Sequence, residues 1–201
     1  MTMMNKTLPL IAAVFFTAAL LISPAQAQQV PGEIVQQTVN EVLNVLADNT
    51  LSQAEKKQKA YEIAEQHINF QGMARRILAL HWKNASDGQK QQFQELFKQL
   101  LLNTYWQRAK NYSGQRVEYI TGMIEGNDFA TIDTIIISDK VEIPITYRME
   151  LIDGKWLAYD FLIESLSLVT RYRNDYRQII KSDGIDGLLE KMQQEVSASE
   201  S

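Results

Sequence analysis

The stretch from Gly154 to Arg173, GKWLAYDFLIESLSLVTRYR, decides the fold. Trp156, Tyr159, Phe161 and Ile163 are bulky and β-branched types that suit a pleated, packed surface, so the stretch begins as a strand. From Leu166 the apolar residues recur as Leu166, Val169, Tyr172, Tyr176 and Ile180, a helical spacing of three and four. Strand passes into helix here. Both faces of the strand carry apolar residues, Trp156, Ala158 and Leu162 on one and Leu157, Tyr159, Phe161 and Ile163 on the other. A strand covered on both sides is expected to lie at the centre of its sheet.

Upstream, Val141 to Leu151 alternates Val141, Ile143, Ile145, Tyr147, Met149 and Leu151 with Glu142, Pro144, Thr146, Arg148 and Glu150, a strand with one buried and one wet face. Pro144 cannot donate to a ladder, so it belongs at an edge, at a bulge, or with its nitrogen turned outward. Val117 to Ile124 and Phe129 to Ile137 are two β-rich runs joined around Glu125-Gly126-Asn127-Asp128, a hairpin signal.

The first half reads as helices. Val30 to Ala47 carries Ile34, Val35, Val39, Val42, Leu43 and Leu46 on one stripe, with Pro31 in the first turn. Ser52-Gln53-Ala54-Glu55 and Ser86-Asp87-Gly88-Gln89 are capping boxes that start helices running to about Ile68 and about Tyr112. Phe70 to Trp82 is a helix between them. After the helix of about Ser165 to Lys181, Ser182-Asp183-Gly184 breaks the chain ahead of a last amphipathic helix. Helices followed by strands predict an α+β fold, with N- and C-terminal helices packed on an antiparallel sheet of about four strands.

The ends carry their own signals. In residues 1–27, Lys6 precedes the uncharged apolar run Leu8 to Ile22 and the small-x-small site Ala25-Gln26-Ala27, the pattern of a secretory signal peptide cleaved after Ala27. Residues 28–196 are expected to form one domain, and 197–201 a disordered tail. Cysteine is absent, so an exported chain would rely on its core instead of disulfides. The net charge of −4 becomes −5 without Lys6, which argues against nucleic acid. From Ser113 onward there are sixteen acidic against nine basic residues, an acidic half that either meets a basic partner or is simply a solvated sheet surface.

Catalytic signals are sparse. His67 and His81 have no partner at metal-ligand spacing, and no P-loop or Gly-x-Ser-x-Gly occurs. Asp160 and Glu164 form a pair of carboxylates four apart. Either they do acid–base work, or Glu164 stabilises the start of the following helix while Asp160 pairs with an arginine or a backbone donor. Arg173, Arg177 and Lys181, with Arg171 close by, make a basic stripe suited to phosphate head groups or to the helix C-terminus. The apolar supply exceeds what a thin sheet-on-helix core requires. It reads as a well-filled core or as the lining of a cavity.

Asp160, Ile163-Glu164, Ser167-Leu168-Val169 and Tyr172-Arg173 stand at the spacing of a family signature. The sequence resembles the periplasmic phospholipid-shuttle proteins of the Mla-type ABC transport system, also called toluene-tolerance auxiliary proteins. Phe70, Met73, Ile77-Leu78, Trp82, Phe93, Phe97, Tyr105, Tyr147-Arg148 and Gly184-x-Asp186-Gly187-Leu188 extend the likeness over nearly the whole exported chain. Ala79 stands where the family would place glycine, which implies at most altered helix packing.

The resemblance implies a non-enzymatic carrier without cofactor, its helices packed on a strongly curved sheet. It implies exchange of phospholipid between an inner-membrane MCE-type ABC transporter complex and an outer-membrane lipoprotein–porin complex, maintaining outer-membrane lipid asymmetry. It also favours the cavity over the plain core. The expected lining is Met73, Ile77, Phe97 and Tyr105 from helices, and Ile143, Ile145, Tyr147 and Met149 from the alternating strand. Tyr159, Phe161 and Ile163, with Leu166 and Val169 beyond them, complete it. The competing readings are a periplasmic enzyme or small-ligand binder on a cystatin- or nuclear-transport-factor-like sheet, and a structural adaptor of a membrane complex.

Overall fold

The computed structural model describes residues 30–111, 114–138 and 141–199, so the expected signal peptide lies outside the described residues. Five helices come first: α1 (Pro31–Ala47), α2 (Gln53–His67), α3 (Phe70–Leu78), α4 (Leu80–Asn84) and α5 (Asp87–Ala109). Strands β1 (Arg116–Glu125), β2 (Phe129–Ile137), β3 (Glu142–Ile152), β4 (Lys155–Ile163) and β5 (Leu166–Ser167) follow, and α6 (Leu168–Ser199) ends the chain.

Local chemistry sets the helix boundaries. Ser52 Oγ accepts the Glu55 N–H while a Glu55 carboxylate oxygen accepts the Ser52 N–H, and Ser86 with Gln89 repeats this at α5. Lys56 is buried, and its Nζ donates to the Leu46 carbonyl at 2.6 Å, a cation at the C-terminal end of α1. The helix expected over Phe70 to Trp82 is broken at Ala79, whose φ of 49° no α-helix accommodates. Gly184, at φ 73°, breaks α6 where the Ser-Asp-Gly cluster predicts. Beyond it the helix continues through Ser199, within the stretch expected as a tail, and Asn103 Nδ2 donates to Ser199 Oγ.

The sheet is antiparallel in the order β1-β2-β3-β4-β5. It has five strands, not about four, because Leu166 and Ser167 pair back onto Ile163 and Leu162 before the helix starts. The middle strand is β3. The Trp156–Ile163 segment lies beside it, and among the described residues its far side meets only two-residue β5 and a single bridge from Ile68 to Ala158. Its second apolar flank is explained by helical cover, since α2, α3 and α6 all contact β4.

Two bulges modify the register. One lies between Tyr119 and Thr121 in β1, and the other sets Arg148 opposite Asp160 but Met149 opposite Ala158, leaving Tyr159 as the extra residue. Pro144 lies opposite Ile135, and its carbonyl accepts from Glu164 N–H where β4 turns away. Its ring nitrogen thus points to the end of a ladder.

Two apolar cores result. The larger joins α3, α5 and α6 through Met73, Ile77, Phe93, Phe97, Tyr176 and Leu188, with Phe161 and Ile163 of β4 against it. The smaller joins Ile34 and Val35 of α1 to Ala130, Ile132, Met149 and Trp156 of the sheet. No described helix is long and apolar enough to cross a membrane.

Candidate functional site

The inner face of the sheet connects the two cores. On β3 it presents Ile143, Ile145, Tyr147 and Met149; opposite them stand Ile136, Thr134, Ile132 and Ala130 of β2 on one side, and Ile163, Phe161 and Ala158 of β4 on the other. Tyr147 packs against the smaller core and Phe161 against the larger, their rings edge-to-face at 5.5 Å. Ile136, Ile143 and Ile145 belong to neither core and are half-buried. They form an apolar seam between the two.

The expected lining residues separate into groups. Met73, Ile77, Phe97 and Val169 are fully buried in the larger core, with Tyr105, Phe161 and Ile163 at its margin. Met149 is buried in the smaller core. Ile143, Ile145 and Tyr147 face the seam. Two residues are not brought to it. The bulge turns Tyr159 away, so that its ring meets Phe129 at 6.0 Å and the Arg76 guanidinium lies 4.1 Å from its centroid. Leu166 sits in β5 and is 70% exposed.

Sequence reasoning missed Ile136 and Thr134. The alternation Ala130, Ile132, Thr134, Ile136 was available, but Ile135 and Ile137 make both parities of β2 apolar and mask the inner face. The Thr134 hydroxyl donates to the Ile145 carbonyl at 3.4 Å. Burial pushes the Tyr147 hydroxyl's pKa up, against a smaller opposite pull from the Thr134 side chain. Burial also raises Tyr119, on β1 opposite Thr134, to about 12.

Other polar groups serve the scaffold. Asp160 is 2% exposed and accepts from Phe161 N–H (2.9 Å), Val169 N–H (3.1 Å), Ser167 Oγ (2.6 Å) and Arg148 Nη1 (3.4 Å). A carboxylate so occupied is a joint between β4 and α6. Glu164 does not sit at the start of the following helix, as one of the two readings has it; it is exposed, at φ 50°, in the two-residue turn before β5. Asn69, Arg76 and Glu150 form a second joint, which no sequence spacing marks. Glu150 Oε1 accepts from Asn69 Nδ2 (2.7 Å), Glu150 Oε2 accepts from Arg76 Nη2 (2.7 Å), and Asn69 Oδ1 accepts the Gly72 N–H. Arg173 of the basic stripe is spent likewise, its Nε donating to the Arg76 carbonyl at 2.9 Å.

No group of metal-binding side chains is assembled among the described residues. A depression of about 420 Å³ lies on the opposite, outer face of the sheet, and another of about 460 Å³ lies along α5; neither is lined by the seam residues. Fold and site together define a helix-and-sheet binding protein with an apolar inner face. The chain belongs to the MlaC protein family, whose family model matches residues 36–194.

Two relatives carry informative names. The intermembrane phospholipid transport system binding protein MlaC of Haemophilus influenzae is 25% identical over 190 residues, covering 90% of this chain and 89% of the relative. The toluene tolerance protein ttg2D of Pseudomonas putida is 22% identical over 166 residues, covering 80% and 77%. Among solved structures, a phospholipid-binding protein from Ralstonia solanacearum, in complex with a phospholipid, superimposes with a TM-score of 0.77. It is 23% identical, and the match covers 86% of this chain and all of that one.

Proposed function

We propose that this protein is a phospholipid carrier of the periplasm, exported with cleavage after Ala27, which holds acyl chains along the seam of Ile136, Ile143 and Ile145. The observation that carries the reading is that these three isoleucines share one sheet face, lie between two closed cores and are completed by neither. Membership of a family with phospholipid-binding relatives supports a carrier over an enzyme. The occupied state of Asp160 supports the same choice.

Exposing two chains of about 16 carbons to water costs on the order of 25 kcal/mol at about 0.8 per CH₂. A lipid therefore needs an apolar wall while it crosses an aqueous gap, and that wall must match the bilayer without exceeding it, or the lipid would stay. Isoleucine and aromatic side chains without a charged clamp meet that requirement. The lipid is exchanged between an inner-membrane MCE-type ABC transporter complex and an outer-membrane lipoprotein–porin complex, maintaining the asymmetry of the outer membrane.

Native mass spectrometry of protein from the envelope fraction tests the reading. The expected result is a mature chain beginning at Gln28 with phospholipid bound. A bound polar metabolite would favour the small-ligand reading, and an empty protein with no extractable lipid would favour the adaptor.

A further inference from the structure

The β1–β2 hairpin has features that the inner seam does not use. β1 ends the sheet and pairs only with β2; among the described residues no backbone hydrogen bond reaches its other edge. An open ten-residue edge is a template for another strand. Its far half is apolar as well as open. Every residue from Ile120 to Phe129 is exposed, including Ile120 (56%), Met123 (61%), Ile124 (57%) and Phe129 (43%). Exposed apolar residues are ordinarily scattered singly, whereas four fall here within ten positions.

Charge selects what fits. The register sets Glu118, Met123 and Glu125 of β1 on the outer face with Phe129 and Asp133 of β2 and Glu142 of β3. Glu125, Asp133 and Glu142 have no ion-pair partner among the described residues, and the arginines on that face are already engaged. Arg116 pairs with Glu118 at 3.0 Å and Arg148 with Asp160 at 3.4 Å. The outer depression of about 420 Å³ runs beside the hairpin, with Glu125, Phe129 and Asp133 in its walls and Arg148, held by Asp160, as the one cation among the described residues of its lining.

We infer that the outer edge of β1 docks an extended segment of a partner protein whose side chains alternate apolar and basic. The segment's backbone continues the sheet, its cations on the outer face meet Glu125 and Asp133, and its apolar side chains, all on the other face, cover Ile124, which the register sets opposite Ala130. A second copy of β1 would set these carboxylates against their own kind, and an anionic lipid surface would be repelled by them. The carboxylates are on the opposite face from the seam, and Ile124 lies at the other end of the hairpin from Ile136, so docking and lipid loading are separable.

The test uses the lipid-loaded mature protein and two synthetic octapeptides, one alternating valine with lysine and one valine with glutamate. Backbone-amide NMR is expected to show the lysine peptide shifting Arg116 to Glu125 and the glutamate peptide doing nothing. Glu125→Lys with Asp133→Lys, and separately Met123→Lys at an exposed site, should each weaken the lysine peptide by roughly tenfold or more with lipid content unchanged. Absence of binding, equal binding of both peptides, shifts confined to other elements, or indifference to both variants would overturn the inference. So would sedimentation showing dimers formed through β1, or hairpin-dependent binding to phosphatidylglycerol vesicles.

Discussion

Asp160 Oδ1 accepts the backbone N–H of Val169 at 3.1 Å, so a buried carboxylate of β4 holds the first turn of α6. The same side chain accepts from Ser167 Oγ at 2.6 Å, and Ser167 Oγ in turn accepts the Thr170 N–H at 3.0 Å. Two of the orphan amides of the helix start are therefore satisfied from one anchor. Asp160→Asn replaces an acceptor by a donor amid donors, and hydrogen bonds to a charged group contribute about 1.5–3 kcal/mol each. Chemical denaturation should show a loss of about 2 kcal/mol, with lipid per folded molecule unchanged. Glu164→Gln, in an exposed turn, should change stability by less than about 0.5 kcal/mol. Full stability with complete loss of lipid transfer in the Asp160 variant would restore a chemical role for the carboxylate.

Ala79 carries a backbone conformation that suits glycine. Its φ of 49° and ψ of −114° join α3 to α4 at the position where the resemblance leads one to expect glycine. A side chain held there costs of order 1–3 kcal/mol, against which glycine's extra unfolded-state freedom offsets about 0.5–1. Ala79→Gly should raise stability by about 1 kcal/mol, and Ala79→Val should lower it. Thermal unfolding of the three proteins checks the order, and a lower melting temperature for the glycine variant would refute the strain.

Gly72 is fixed by contact instead of by dihedral. A Cβ there would meet the Asn69 side chain and come within 2.7 Å of Glu150 Oε1, displacing the joint that ties α3 to β3. Gly72→Ala should therefore cost about 1–3 kcal/mol. Adding Asn69→Ala removes the nearer of the two groups in the way, so the double variant should lose less than the sum of the two single losses. Strict additivity would show that the contact is not the cause.

High pH should act through buried tyrosines. Tyr119 is raised to about 12 by burial, and Tyr105, Tyr147, Tyr172 and Tyr176 are also raised, desolvation being the largest cause in each. A raised folded pKa means that the folded state holds its proton more tightly, so this stability is complete below the unfolded value near 10 and is lost as pH climbs toward 12. Tyrosinate absorbance should lag the exposed-phenol titration and then rise together with loss of helical circular dichroism. Independent ionisation near pH 10 with the fold intact would contradict it.

Features set by neighbours in the chain were legible, and those set by distant ones were not. The boxes at Ser52 and Ser86, the Glu125–Asp128 turn and the alternation of β3 involve contacts within a few residues, and the structure has them. The Trp156–Ile163 segment reads as central because sequence records that a face is apolar but not whether strand or helix covers it. The bulge at Tyr159 inverts the face of one residue, and nothing in a run of aromatic and β-branched types marks it. The joint of Asn69, Arg76 and Glu150 links residues as far as 81 positions apart, and a glutamate on the wet side of β3 gives no local sign of it. Individual lining candidates were legible as apolar residues. Whether each sits in a closed core or at the seam depends on the packing of α1 against β1 and β2, which no spacing encodes.

The seam itself is tested by filling it. Ile145 on β3 belongs to neither core, whereas Met149, on the same strand face, is 2% exposed within the smaller core. Overpacking a filled core costs about 1–3 kcal/mol, while occupying space otherwise taken by a ligand adds apolar contact without displacing protein. Ile145→Trp should stay folded, carry less phospholipid by native mass spectrometry, and match or exceed the parent's melting temperature once both are stripped of lipid. Met149→Trp should lower the melting temperature, with any change in lipid following from lost structure. Were Ile145→Trp destabilised like Met149→Trp with its lipid content per folded molecule intact, the seam would be ordinary core and the acyl chains would lie elsewhere.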